Sequence, residues 1–180
     1  MKRVVFLTVA ALMAASMVFA QAGSIGIFAD NQGTNCNLPD PGPALTPYYA
    51  VHVNTPGATA CAYWAPKPTC FTATYLSDSN MFPVTVGNSQ IGVSIGYGLC
   101  KASPIHVSTI NFFTNGATAN CCYYPVVGMP TSGQIEVVDC ANNLIFGTGG
   151  KGIIKALPTC QCNVPAEDTT WGQVKSLYNE

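Results

Sequence analysis

The sequence predicts an all-β protein whose strands form a disulfide-stapled sandwich, and three observations support this. Short runs rich in β-branched and aromatic residues recur along the chain, separated by glycine, proline, asparagine and serine. The chain contains nine cysteines, and its N-terminus resembles an export leader, a combination typical of disulfide-bonded secreted domains. Helical signals occur only near the C-terminus. The regular strand spacing favours an immunoglobulin-like or jelly-roll-like β-sandwich with a short C-terminal helix.

The N-terminal stretch MKRVVFLTVAALMAASMVFAQAGS predicts a signal peptide over residues 1–22. Lys2 and Arg3 precede an apolar run that ends in small residues, and the pattern around Gln21 fits cleavage after Ala20 or Ala22. An uncleaved membrane anchor is the less favoured alternative. We therefore expect a secreted β-sandwich domain over residues 23–162 and a C-terminal tail over residues 163–180. The location is extracellular, cell-surface or periplasmic, without stable membrane insertion after leader removal.

The charge of the predicted mature chain argues against nucleic-acid binding. The leader contains two of the seven basic residues, so five lysines remain against eight acidic residues and no arginine is left. Affinity for a phosphate backbone comes from clustered lysine and arginine. A bidentate guanidinium contact is also impossible without arginine. No nucleic-acid partner is expected.

The strand predictions follow chain order and rest on β-rich composition between turn-forming residues. They cover residues 24–29, 48–54, 70–77, 82–87, 91–99, 105–113, 122–127, 134–140 and 144–156, where the last range holds two runs around a glycine turn. Residues 38–47 contain four prolines, so we expect an irregular surface excursion there.

The run IGVSIGYGL at residues 91–99 separates large and small side chains onto opposite faces. The large residues predict a core-facing side and are Ile91, Val93, Ile95, Tyr97 and Leu99. The opposite face holds only glycine and serine, at Gly92, Ser94, Gly96 and Gly98. Close approach of another backbone, or a bend in the strand, is the structural interpretation of such a face. A flat platform for a partner or polymer is the functional alternative.

The cysteines predict up to four disulfides in an oxidising compartment. The eight predicted members are Cys36, Cys70, Cys100, Cys121, Cys122, Cys140, Cys160 and Cys162, and their connectivity cannot be read from spacing. Cys61, in the loop-like PGATACAYWAPKP, is the expected unpaired residue. Cys121 and Cys122 are expected to bond to different partners, because neighbours on a strand point to opposite faces. The spacing does not match a zinc site, so no metal is predicted.

Catalytic patterns are weak in this sequence. GTGGKG at residues 147–152 matches a dinucleotide string, but the helix that this motif requires does not follow it. His52 and His106 lie inside predicted strands, where a hydrogen-bonded sheet residue is the more frequent role. DNQGTN at residues 30–35 lacks the spacing of a known calcium loop. We predict a protein that is not an enzyme and has no cofactor.

The tail contains the only helical start signal. Thr170 and Gln173 form a capping box, and four apolar side chains then share one side, at Trp171, Val174, Leu177 and Tyr178. So short a helix needs a surface on which to dock. Docking on its own sandwich is one interpretation. Self-association, or binding of a cell-surface or export partner through the tail, is the other.

The motif DTTWGQVKSLYNE resembles the tails of a group of secreted bacterial proteins that end in Thr-Thr-Trp-Gly-x-Ile/Val-Lys-x-Leu. The stretches NCCYYPVV and GQIEVVDC are similar to the bodies of the same group. The resemblance implies export and a β-rich domain, and it implies no activity, ligand or catalytic residue.

The favoured function is a non-enzymatic secreted or cell-surface module with a structural or adhesive role. A second hypothesis is a glycan-, small-ligand- or metal-binding protein that uses aromatic side chains at Tyr63, Trp64, Tyr123 and Tyr124. A third is an extracellular hydrolase, which requires His52 or His106 to lie in a cleft beside a carboxylate or hydroxyl.

Overall fold

The computed structural model describes residues 22–162, and every regular element in that range is a β-strand. The strands are β1 (Ser24–Phe28), β2 (Asn37–Leu38), β3 (Ala44–Val53), β4 (Ala58–Tyr63), β5 (Ala73–Ser79), β6 (Val84–Asn88), β7 (Gly92–Lys101), β8 (Ile105–Thr114), β9 (Cys122–Pro125), β10 (Ile135–Asp139), β11 (Leu144–Gly149) and β12 (Lys151–Ile154). The predicted tail helix and nearly all of the predicted leader lie outside the described residues.

Nine strands form one continuous sheet in the order β5-β8-β3-β1-β11-β10-β4-β7-β6, and β2-β12-β9 form a small second sheet. The long sheet is antiparallel except where β1 pairs in parallel with β11. At that junction it divides into two layers, β5-β8-β3-β1 and β11-β10-β4-β7-β6. The predicted disulfide-stapled, all-β sandwich is confirmed.

The core lies between these two layers. Alternate residues of each strand point inward, as the sheet period requires. An aromatic cluster of Tyr48, Phe71, Phe112 and Tyr124 fills one end, with ring centroids 4.9–6.4 Å apart. The Tyr63 hydroxyl on β4 hydrogen-bonds to the Ser108 hydroxyl on β8 at 2.7 Å and joins the two layers.

Two sequence predictions were wrong about elements. The segment around Cys61 is not a loop, since Ala58–Tyr63 is an interior strand between β10 and β7. The proline-rich segment 38–47 is not wholly irregular, because β3 begins at Ala44. Pro47 is tolerated inside this strand because β1 pairs with β3 only from Tyr49 onward, which leaves one side of β3 open at the proline.

Four disulfides use all eight of the cysteines predicted to pair. They join Cys36 to Cys162, Cys70 to Cys122, Cys100 to Cys140, and Cys121 to Cys160. The adjacent pair bonds to different partners, although the reason differs from the expected one. Cys121 lies just before β9 with a positive φ of 60°, so a turn redirects its side chain. The two bridges of the C-terminal segment, through Cys160 and Cys162, fasten it to the body at Cys121 and Cys36.

Candidate binding surface

The outer face of the second layer is apolar where it would ordinarily be polar. Strand register places its outward residues in two cross-strand rows, one of Val84, Gly96, Ala60, Val138 and Leu144, and one of Val86, Ser94, Ala62, Glu136 and Phe146. A solvent-facing antiparallel sheet usually alternates hydrophobic-in with polar-out. Here only Glu136 is charged and only Ser94 is otherwise polar.

The two rows form a depression, which we call the apolar trough. Its floor consists of small residues on β7 and β4, and its walls are large side chains on β6 and β11. The wall residues are strongly exposed: Val84 at 58%, Val86 at 67%, Leu144 at 57% and Phe146 at 58%. The trough has a volume of about 320 Å³. Exposed apolar surface concentrated in this way marks an interaction site more often than scattered exposed residues do.

Gly92 shapes one end of this surface. Its φ of +105° favours glycine, and a β-carbon there would lie 3.0 Å from Pro130 and 3.2 Å from Met129. The absence of a side chain therefore lets the segment around Met129 close over the outer face beside the trough. The Gly/Ser face of residues 91–99 is thus closely packed at Gly92, whereas Ser94 and Gly96 line the trough floor. Its use as a platform for a partner stays a prediction.

The large side chains of residues 91–99 are less uniformly buried than their alternating pattern predicts. Val93, Ile95 and Tyr97 are buried in the core. Ile91 and Leu99 are 68% and 75% exposed, because they lie just before β7 and near its end, beyond the stretch that pairs with both neighbouring strands.

The four aromatic residues predicted to bind a ligand do not share one surface. Tyr63 and Tyr124 are fully buried, with their hydroxyls bonded to Ser108 and to the Ala65 carbonyl. Burial raises the pKa of both phenols well above the usual value. Trp64 is half-buried and donates its indole N–H to the Gln90 carbonyl at 2.9 Å. Tyr123 is exposed, and the Lys151 amine lies 4.4 Å from its ring centroid.

His52 is a buried structural residue. Its Nε2 donates to the Ala22 carbonyl at 2.7 Å, and its Nδ1 lies 3.3 Å from the Tyr97 hydroxyl. Burial lowers the pKa of His52, and the bond to Ala22 offsets only part of this effect. A neutral imidazole fixed on both nitrogens has no free position for a substrate proton.

His106 lies beside a second depression and is half-buried. Its Nε2 lies 3.0 Å from the Thr109 hydroxyl, and burial lowers its pKa. Within the described part of the chain, neither histidine hydrogen-bonds to a carboxylate that could orient it as a general base.

Cys61 points inward between the two trough rows. It is the one cysteine outside a disulfide and is buried. Burial raises the pKa of its thiol to about 12, despite a hydrogen bond with Tyr97 that acts in the opposite direction. Because the thiolate is the reactive form, this thiol is chemically inert in the folded protein.

The Asp30 loop satisfies its own carboxylate. Asp30 accepts hydrogen bonds from the backbone N–H groups of Gln32, Thr34 and Asn35 and from the Thr34 hydroxyl. Burial raises the pKa of Asp30, but these bonds outweigh it and the net pKa is lowered. Across residues 22–162, no three His, Cys, Asp or Glu side chains are grouped so as to hold a metal ion. The same range includes no helix long and apolar enough to cross a membrane.

Comparison with known proteins gives a fold-level likeness only. No protein-family model matches the chain, and no curated protein matches it. One similar solved structure is the sixth cohesin from scaffoldin B of Acetivibrio cellulolyticus in complex with a mutant Cel5 dockerin, with 11% identity and a TM-score of 0.49 over 74% of this chain and 98% of that one. A CaDoc0917–CaCohA2 complex at pH 5.5 gives 10% identity and a TM-score of 0.49 over 74% and 99%.

The sequence did not reveal the apolar trough. Its ten residues come from five strands, and only their pairing register brings them into two rows. One sequence signal that points to the trough is the Gly/Ser face of residues 91–99. A second signal is that VTV, ATACA, IEVV and LIF are apolar at nearly every position, which indicates strands that are apolar on both faces.

Proposed function

We propose that this protein is a non-enzymatic, exported binding module that holds a helical segment of a protein partner in the apolar trough. The observation that carries the proposal is the pair of cross-strand rows, in which nine of ten outward side chains are uncharged. Four disulfides are typical of an oxidising compartment and support export. His106 lies at a depression beside the Thr109 hydroxyl, as a hydrolase would require, but no carboxylate of the described residues orients it. His52 is buried and bonded on both nitrogens, so binding is better supported than hydrolysis.

The shape of the trough favours a helix as its occupant. The walls on β6 and β11 are four strand spacings apart, or about 19 Å between their backbones. The floor on β7 and β4 is low, and β10, next to the β11 wall, contributes the larger Val138 and Glu136. An α-helix with side chains is about 10–12 Å wide and fits between such walls. A second copy of the same trough is a poor match, because two concave surfaces placed face to face leave an unfilled space.

Glu136 adds a chemical requirement. It lies half-buried in the second row, between Ala62 and Phe146, and is the sole charge among the ten residues. We expect the bound helix to present large apolar side chains to the floor and one lysine or arginine to Glu136. Such a pair orients a partner and selects against acidic competitors more than it adds affinity.

Site-specific cross-linking tests this proposal. A photo-reactive benzoylphenylalanine replaces Val86 in the trough wall or, as a control, Leu45, which is 65% exposed on the outer face of the other layer. In the organism that produces the protein, we expect position 86 to label one discrete protein segment and position 45 not to label it. The segment is then synthesised and titrated against the purified full chain by fluorescence anisotropy.

The titration includes matched variants. We expect Val86→Glu to weaken binding at least tenfold, Glu136→Gln to weaken it a few-fold and reduce its salt dependence, and Leu45→Glu to leave it within twofold. Helical circular dichroism should increase on mixing. Equal labelling from both positions, a bound peptide that stays non-helical, or an unaffected Val86→Glu variant each contradicts the proposal.

A further inference from the structure

A separate groove, distinct from the apolar trough and from the depression beside His106, lies where the small sheet packs beside β1. We call it the exit groove, and its volume is about 630 Å³. Its walls include Phe28, Val53, Ile153 and the exposed ring of Tyr123. Among the described residues that line it, Lys151 is the only charged one, and its amine lies over the Tyr123 ring. The groove therefore offers apolar walls and one cation.

The described part of the chain ends inside this groove. Cys162 lines the groove and is bonded to Cys36, another lining residue. The Cys162 backbone N–H also donates to the Asn37 side-chain oxygen at 3.1 Å. Cys162, from which residues 163–180 continue, is thus fixed at the groove by one covalent bond and one hydrogen bond.

The residues that follow carry matching chemistry. Asn163 is followed by the apolar Val164 and Pro165, and Glu167 and Asp168 are the first charges after Cys162. The Cys162 sulfur lies 3.4 Å from the Lys151 carbonyl oxygen. Five extended residues reach about 17 Å, so the Glu167 carboxylate can return to the Lys151 amine without a strained path. Trp171 then supplies a large apolar ring four residues further on.

We propose that the exit groove binds residues 163–171 of the same chain, with a Glu167 or Asp168 carboxylate paired to Lys151 and the Trp171 ring against the apolar wall. Residues 163–171 are covalently attached at the groove, and this favours the chain's own segment over the same segment of a second copy. A segment attached at the groove has an effective concentration of about millimolar, which exceeds that of a second copy in dilute solution. The proposal does not depend on the function proposed for the apolar trough.

A zero-length cross-link tests this inference on the unmodified protein. A carbodiimide activates a carboxylate, which then condenses with a nearby lysine amine to form an amide with net loss of water. We expect Glu167 and Asp168 to couple to Lys151 at least tenfold more than to Lys101, which is similarly exposed. The protein is prepared as a mixture of unlabelled and nitrogen-15-labelled chains, and coupled peptides are identified by mass spectrometry.

Charge exchange provides the second measurement. Lys151→Glu should abolish this coupling, and Lys151→Glu combined with Glu167→Lys should restore it with the two partners exchanged. Lys101→Glu is the matched control and should change nothing. Coupling spread evenly over the lysines, or coupling that survives the exchange at another lysine, overturns the groove assignment. Mixed-isotope peptides show that a second copy supplies the segment, and they overturn the claim that the segment is the chain's own.

Discussion

The side chain of Cys61 points into the core, whereas Ala60 and Ala62 on either side of it form part of the trough floor. This alternation places a thiol and a binding surface within one tripeptide, separated by the thickness of the sheet. The pKa of about 12 and the burial of the sulfur make Cys61 unreactive. A free thiol can therefore persist beside four disulfides without exchanging with them.

The burial of the Cys61 thiol predicts a large difference in cysteine labelling between the native and denatured states. At pH 8, the native protein should show negligible modification by iodoacetamide over an hour, and the protein in guanidinium should gain one label per chain without reduction. Intact-mass spectrometry provides the measurement. Rapid labelling of the native protein would show that Cys61 is accessible.

His52 makes stability depend on pH in a defined direction. Because burial lowers its folded-state pKa below the unfolded value of about 6.5, its contribution is complete above that value. The contribution is lost as the pH falls through 6.5 toward the folded-state pKa. The lowered pKa values of Asp30 and Asp139 act near pH 4 and below, outside this window.

We therefore expect the free energy of unfolding to fall between pH 7.5 and pH 5.5. His52→Gln, which can still donate to the Ala22 carbonyl, should flatten this slope, and His106→Gln should flatten it less because His106 is less buried. Urea titrations at several pH values measure this slope for the unmodified protein and for each variant. A slope that is unchanged in His52→Gln would assign the pH dependence to other groups.

At the scale of elements, β4 shows why the segment around Cys61 could not be predicted as a strand from its sequence. ATACAY has little intrinsic strand propensity because alanine is depleted in strands. It becomes a strand because β10 and β7 pair on both sides of it and the core buries Cys61 and Tyr63. The longer runs rich in valine, isoleucine and aromatic residues, such as β7 and β8, were recognisable from composition alone.

The disulfides also act on elements, and two of them hold the same C-terminal segment. The Cys36–Cys162 bridge spans 126 positions and the Cys121–Cys160 bridge spans 39. In the chain-entropy model, the relevant loop is the one that a bridge closes while the other bridges stay intact. The Cys70–Cys122 and Cys121–Cys160 bridges shorten the Cys36–Cys162 loop to about 40 residues, close to that of the Cys121–Cys160 bridge. Replacing both cysteines of either bridge with alanine should therefore destabilise the protein by a similar amount, roughly 4 kcal/mol. A loss in urea unfolding that is several-fold larger for one bridge than for the other would contradict the entropic account.

At the scale of the whole molecule, the two layers are joined by buried polar contacts as well as by apolar packing. Tyr63 and Ser108 form such a contact, and both residues are buried. Tyr63→Phe leaves the Ser108 hydroxyl without its partner and should cost about 1–3 kcal/mol. Tyr63→Phe combined with Ser108→Ala should be less destabilised than the sum of the single changes. Strict additivity in thermal or urea unfolding would show that the bond contributes little.

The architecture of this protein could be predicted from its amino-acid sequence better than its binding surface could. Residues within one strand reveal which face is apolar, so the sandwich and most strands could be predicted. The apolar trough depends on the lateral order of five strands drawn from residues 60–146, and no local pattern specifies that order. The four predicted aromatic residues do not share one surface for a related reason. Trp64 lies just after β4 and Tyr123 lies in the small sheet, while their neighbours Tyr63 and Tyr124 are buried.

The Cys36–Cys162 bridge also governs the response to tension between the two ends of the domain. A pulling force applied at Ala22 and at Cys162 passes from β1 through the sulfur atoms and bypasses the intervening polypeptide. Only the stretch from Ala22 to Cys36 can lengthen, by about 50 Å at most. A module that holds a partner under mechanical load would thus keep nearly all of its strands in place. Reduction of this link alone would free only the stretch from Cys36 to Cys70, because the Cys70–Cys122 and Cys121–Cys160 bridges would then carry the force around the remaining strands.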